Sequence, residues 1–141
     1  MTRWLNGMQP WGIFLVRLVL GVAMLYHGWP KVIPVGGPFH HHATTAIDHY
    51  THFVSGLGLP PWLGYVSALT ELIGGALLII GFFTRFAALM VAINMAVALI
   101  YVDARRGYVT SEYPIALLSM AILVLLTGAG AVALDRKIGF I

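Results

Sequence analysis

Two ionisable residues stand inside long apolar runs of this chain. Arg17 lies within Trp11–Trp29 and Glu71 within Trp62–Phe83. At the centre of a membrane helix each costs at least about 2.5–3.5 kcal/mol, so neither is expected to face lipid. On a helix through the first run, Arg17, Gly21, Met24, His27 or Gly28, and Lys31 share a face at three- and four-residue steps. On the second, Ser67, Glu71, Gly74 or Gly75, and Leu78 share another. Glycines on both faces let the helices approach closely. The pattern predicts an inward-facing polar network of Arg17 and Glu71, joined by Asn94 midway along a third apolar run. The Cα atoms of Arg17 and Glu71 are offset by about 9–10 Å along the membrane normal at 1.5 Å per residue. A long arginine, with Asn94 or a water, could cover that distance. The network reads equally well as a structural ion pair and as a site for a ligand or a proton. Asn94 by itself reads as an interhelical hydrogen bond.

A second set gathers where the first and fourth apolar runs meet the interface. His27 and Lys31 are one turn apart, and Glu112 and Tyr113 open the fourth run at the same level. Together they could form a polar mouth able to hydrogen-bond a quinone oxygen or an anion. Each residue taken singly reads as an ordinary interfacial side chain, Lys31 snorkelling to the headgroups. Histidines are dense between these sets: His40, His41 and His42 are consecutive, and His49 and His52 follow on one short helix. Imidazoles can bind zinc, copper or haem iron. Three adjacent histidines in a Pro/Gly loop cannot easily converge on one ion, and no HExxH pattern occurs. No metal site is expected; His49 and His52 would be the alternative. Gly74–Gly75 and Gly128 with Gly130 lack the strand–turn–helix setting of a dinucleotide motif, and there is no P-loop or nucleophile elbow.

The elements that must position these residues follow from composition. Of 141 residues, 60% are hydrophobic and 9% charged, with a mean hydropathy of +0.88. A soluble domain carries about 25% charged residues. The chain is therefore read as a bilayer protein, with no room for a separate soluble domain. It has no cysteine, which excludes disulfides and thiolate-ligated zinc or iron–sulfur clusters. The net charge of +3 fits a membrane protein with a few basic loop residues, and no nucleic-acid partner is read from it.

The predicted fold is all-α: one membrane domain over 1–141, a four-helix bundle with spans at about 11–29, 62–83, 86–102 and 112–134. Pro30, Pro34 and Pro38 are expected to stop the first helix. Ile47, Tyr50, Phe53, Val54 and Leu57 recur at helical spacing, with Asp48, His49 and His52 off that stripe. They predict a short amphipathic helix over about 43–57, lying at the membrane surface between spans one and two. Four spans put both termini on one side, with Arg3, Arg85, Arg136 and Lys137 against Lys31, Arg105 and Arg106 on the other. That balance favours termini on the cytoplasmic side.

The order of motifs resembles a known family. The chain reads Arg17-Leu18-Val19-Leu20-Gly21, then Tyr26-His27-Gly28-Trp29-Pro30-Lys31, then Leu57-Gly58-Leu59-Pro60. Thr70-Glu71-Leu72-Ile73-Gly74-Gly75 and Gly81-Phe82-Phe83-Thr84-Arg85 follow, and then Glu112-Tyr113-Pro114 and Gly128-Ala129-Gly130. From Arg17 to Asp135 this is similar to the DoxX family of small four-helix bacterial membrane proteins. The resemblance implies an integral membrane bundle. It also implies kinship with small membrane subunits of thiosulfate:quinone oxidoreductase, and with proteins that accompany soluble redox enzymes or quinone and catechol stress responses. The family's arginine, histidine–glycine, lysine and glutamate positions match Arg17, His27, Lys31, Glu71 and Glu112. The His-rich loop departs from its usual pattern.

The resulting expectation is a redox-associated membrane subunit rather than a stand-alone enzyme. It would serve a partner oxidoreductase, present a quinone site near His27, Lys31, Glu112 and Tyr113, and bind no cofactor covalently. The alternatives are a structural or assembly subunit of a larger membrane complex and, third, a small oligomeric transporter.

Overall fold

The computed structural model describes residues 2–33, 43–103 and 106–139, the side chains of 2–6 and 43–45 apart. Among them the chain is helical and contains no strand. Helix α1 is Thr2–Val32, α2 is Ala43–Gly56, α3 is Trp62–Leu69 and α4 is Gly75–Ile80. A π-helical turn, Thr70–Gly74, joins α3 to α4, so the two form one continuous rod. Helix α5 is Thr84–Ala98, extended by a second π-helical turn over Leu99–Asp103; α6 is Tyr108–Thr127 and α7 is Leu134–Ile138. Among the described residues four stretches are long and apolar enough to cross a membrane: Gly7–Val32, Trp62–Ile80, Thr84–Asp103 and Tyr108–Thr127. The architecture is the all-α four-helix membrane bundle, with the amphipathic helix α2 between spans one and two.

The first and fourth spans begin earlier than the sequence reading, at Gly7 and Tyr108 in place of 11 and 112, and three C-terminal ends differ for local reasons. Pro30 does not stop α1; the helix runs on to Val32, and the Ile33 N–H closes the last turn on the Trp29 carbonyl at 2.8 Å. Span two ends at Ile80, because Gly81 at φ 72° turns the chain. The Gly81 and Phe82 N–H groups both donate to the Leu77 carbonyl, at 2.8 and 3.0 Å. Span four ends at Thr127, seven residues short of Leu134. Gly128, Gly130 and Val132 all have positive φ there, which breaks the helix and turns the chain back under the bundle.

In lipid the hydrophobic effect does not drive helices together, so close packing of small residues must do so. The contact of α1 with α4 and the π-helical turn before it shows this. A Cβ built on Gly75 would lie 2.6 Å from the Leu25 nitrogen and 2.8 Å from the Gly21 carbonyl oxygen. One on Gly28 would lie 2.6 Å from the Leu72 nitrogen. The helices therefore touch backbone to backbone. Between α5 and α6 the buried Ala87, Ala88 and Ala121 take the same role, within a core that also holds Leu20, Met24, Leu78, Val91 and Val124. Large apolar side chains such as Leu15, Val19, Leu123 and Leu126 are exposed on the outer faces, where acyl chains would meet them.

Candidate functional site

Lys31 and Glu71 form the centre of the site. The Lys31 ammonium donates to both carboxylate oxygens of Glu71, at 2.8 Å to Oε1 and 2.6 Å to Oε2. The Asn94 amide donates to the same Oε1 at 3.1 Å. Lys31 also stands 4.3 Å from the centroid of the Tyr50 ring. The Glu71 side chain is 5% exposed and that of Lys31 25%, so the carboxylate is buried and the lysine side chain is partly open to its surroundings.

The directions of the side chains explain this pairing. In a helix each Cα–Cβ bond tilts towards the helix N-terminus. Lys31, near the end of α1, therefore points back down the bundle. Glu71, on a span running the opposite way, points up towards the Trp62 end. The two converge. Arg17 points away from Glu71, towards the end of the bundle that carries the termini. The expected Arg17–Glu71 pair is thus not formed, because side-chain tilt widens the Cα offset that Arg17 would have had to cross. The π turn at Thr70–Gly74 bears Glu71 itself. Its wider winding changes the helix face on which following residues emerge, and such turns recur at functional positions.

Arg17 is fully buried, and its Nη2 donates to the Val132 carbonyl at 2.9 Å. Its guanidinium lies 5.4 Å from the Phe14 ring centroid and presses against Gly81, where any Cβ would collide with it. Its Nε and Nη1 have no hydrogen-bond partner among the described residues. Nearby, the buried Asp135 accepts from the Phe83 and Thr84 N–H groups at 2.8 Å each, capping the first turn of α5.

The residues of the expected polar mouth divide. His27 Nε2 and the Tyr113 hydroxyl are 2.8 Å apart, joining α1 to α6, with ring centroids at 5.4 Å. Lys31 is turned towards Glu71 instead of snorkelling outward. Glu112 is exposed and joins none of these contacts among the described residues. His49 and His52 are exposed on α2, and His40, His41 and His42 lie outside the described residues.

Helix α2 packs over α3 and roofs the site. The Tyr50 hydroxyl is 2.9 Å from Ser67 Oγ, and the Tyr65 hydroxyl donates to Asp48 at 2.8 Å. Gly64 permits this approach, since a Cβ there would lie 2.8 Å from the Thr51 Cα. Tyr50, Phe53, Val54 and Leu57, four members of the apolar stripe, face a cavity of about 390 Å³. Its other walls are apolar side chains of α3 and α5, among them Leu63, Val66, Met90 and Ile93, and it also meets Lys31, Glu71 and Asn94. A largely apolar hollow with a few convergent polar groups is the usual form of a small-molecule site, and about 300–1,000 Å³ is its usual size. Tyr50 and Ser67 were not among the site residues read from the sequence. The signal for Tyr50 was its place on the amphipathic stripe one position from the off-stripe face.

Comparison with known proteins identifies the family of the chain. The DoxX family model matches residues 12–104. That stretch contains Arg17, His27, Lys31, Glu71 and Asn94, and stops before Glu112 and Tyr113. A relative in Bacillus subtilis (strain 168), described as "Putative oxidoreductase CatD", is 30% identical over 125 residues, covering 88% of this chain and 84% of the relative. No solved structure matches the chain.

Proposed function

The chain belongs to the DoxX family, and from that premise we propose that it is a redox-associated membrane subunit whose cavity under α2 receives the ring of a quinone. The observation that carries the reading is the Lys31–Glu71–Asn94 network at the wall of a largely apolar cavity between α2, α3 and α5, whose other polar lining is Tyr50, Ser67, Thr70, Tyr101 and Asp103. The relative described as an oxidoreductase supports the redox association. The quinone-contacting set is revised to Lys31, Glu71, Asn94 and Tyr50, with His27 and Tyr113 as a neighbouring pair and Glu112 left out.

The donor set suits a quinone. Quinone carbonyls accept hydrogen bonds, and both Lys31 and Asn94 carry N–H groups beyond those directed at Glu71. The apolar side chains of α2 and α5 would enclose the ring and keep water from it. A bound quinone would supply two-electron, two-proton redox chemistry, with electrons delivered by a partner oxidoreductase. Glu71 and Lys31 would balance charge beside the ring, and the Tyr50 hydroxyl would hold the roof on Ser67. On this reading the termini are cytoplasmic and the partner docks from the membrane.

The test is extraction in a mild detergent followed by identification of bound quinone and partner proteins, for the wild type and for Asn94→Leu. Wild-type protein should retain about one quinone per chain and copurify with a redox enzyme. Asn94→Leu should lose the quinone while remaining monodisperse. Wild-type protein carrying neither quinone nor partner, or equal quinone in the variant, would overturn the reading.

A further inference from the structure

A second cavity, of about 560 Å³, lies at the opposite end of the bundle, where the termini emerge. We propose that it is a binding site for the headgroup of an anionic phospholipid from the adjoining leaflet. The inference does not depend on the quinone reading.

Two guanidinium groups border this cavity. Arg85 Nη1 donates to the Leu125 carbonyl at 3.2 Å, and its guanidinium lies across Gly128, 3.4 Å from where a Cβ would stand. Arg136 Nη1 donates to the Gly130 carbonyl at 3.3 Å. Both side chains are exposed, both bonds are long, and each leaves most of its N–H groups available. Among the described residues neither arginine has a carboxylate partner, since the one salt bridge is Lys31–Glu71. The acid that lines the cavity, Asp135, is buried and accepts from two backbone N–H groups. Its charge is opposed by the buried Arg17 nearby. The cavity therefore carries uncompensated positive charge at the membrane interface.

Thr84 also lines the cavity, with its hydroxyl buried beneath the wall and without a hydrogen-bond partner among the described residues, so the two guanidinium groups are the polar contacts open to a headgroup. Gln9 and Thr127 add neutral polar groups, and the remaining wall is apolar: Ile13 and the exposed ring of Phe86 would run alongside acyl chains. Guanidinium pairs match phosphate oxygens well, and basic pockets between spans suit anionic headgroups. Free phosphate shares the headgroup chemistry and would not use the apolar wall, which is why the lipid is the occupant we commit to.

The experiment uses the full chain, stripped of lipid in a nonionic detergent and followed by native mass spectrometry. Phosphatidylglycerol, phosphatidylcholine and inorganic phosphate are titrated separately into wild type, R85Q/R136Q, R136Q and K137Q. The wild type should bind one phosphatidylglycerol at least tenfold more tightly than phosphatidylcholine, and excess inorganic phosphate should displace it poorly. R85Q/R136Q should lose tenfold or more in that affinity, R136Q about threefold, and K137Q, an exposed cation outside the cavity, nothing. Equal binding of the two lipids, undiminished phosphatidylglycerol binding by both arginine variants, or full displacement by phosphate would each overturn the proposal.

Discussion

Removing Lys31 tests the central pair most directly. In Lys31→Met the Glu71 carboxylate stays buried with the Asn94 amide as its remaining partner. Breaking a fully buried pair from one side costs about 3–5 kcal/mol, because a charge is left in low dielectric without its counterpart. The Lys31 side chain is 25% exposed, so water already screens the attraction. That lowers the expected loss to about 2–3 kcal/mol. Glu71→Gln should cost less, about 1 kcal/mol: the amide oxygen still accepts from Asn94, and Lys31 can turn outward to the headgroups. With both changes there is no orphaned charge, and the double variant should lose only about 1–1.5 kcal/mol. The cycle then gives a coupling of about 2 kcal/mol, within the range for residues in direct contact. Reversible unfolding of the four proteins in mixed detergent micelles, followed by tryptophan fluorescence, measures it. A coupling below about 0.5 kcal/mol would refute the reasoning, since the two groups would then not share one buried interaction.

Two further substitutions probe the scaffold. Gly75→Ala should lower stability by about 1–3 kcal/mol through overpacking, because its Cβ meets α1 backbone rather than a movable side chain; an unchanged melting temperature would contradict the backbone contact. Asp135→Ala should cost about 2 kcal/mol by uncapping α5, with Asp135→Asn nearer 1, since its single amide oxygen can serve only one donor well. Hydrogen exchange at the Phe83 and Thr84 amides should accelerate in the order wild type, Asn, Ala, and equal protection in all three would contradict the cap.

The spans were legible because each is a long apolar run ended by charge, glycine or proline. The stripe of α2 was legible for the same reason, since Tyr50, Phe53, Val54 and Leu57 repeat at helical spacing and do face inward on the cavity. The polar pairing was misread because residue spacing gives the height of a Cα atom and not the direction of its side chain. Applied to antiparallel helices, the tilt rule separates Arg17 from Glu71 and joins Lys31 to it. The π turn at Glu71 had no sequence signal beyond the adjacent glycines. Asp135 carried no role in the sequence reading beyond marking the end of the family resemblance. Its role depends on the chain reversing at Gly128, Gly130 and Val132, and a valine at positive φ is not foreseeable from its type.

That reversal fixes an order of events. Residues 128–135 supply the Val132 carbonyl to Arg17, the Ala131 N–H to the Pro10 carbonyl at 2.8 Å, and the Asp135 N–H to the Gly81 carbonyl at 2.9 Å. They also supply the cap of α5. All four spans precede this segment in the chain, so a ribosome delivers it after them. During synthesis Arg17 must wait in the membrane without its carbonyl partner until the tail arrives. Closure of the bundle is therefore a late step of biogenesis, and a nascent chain arrested before Gly128 should be the form most open to quality-control proteolysis.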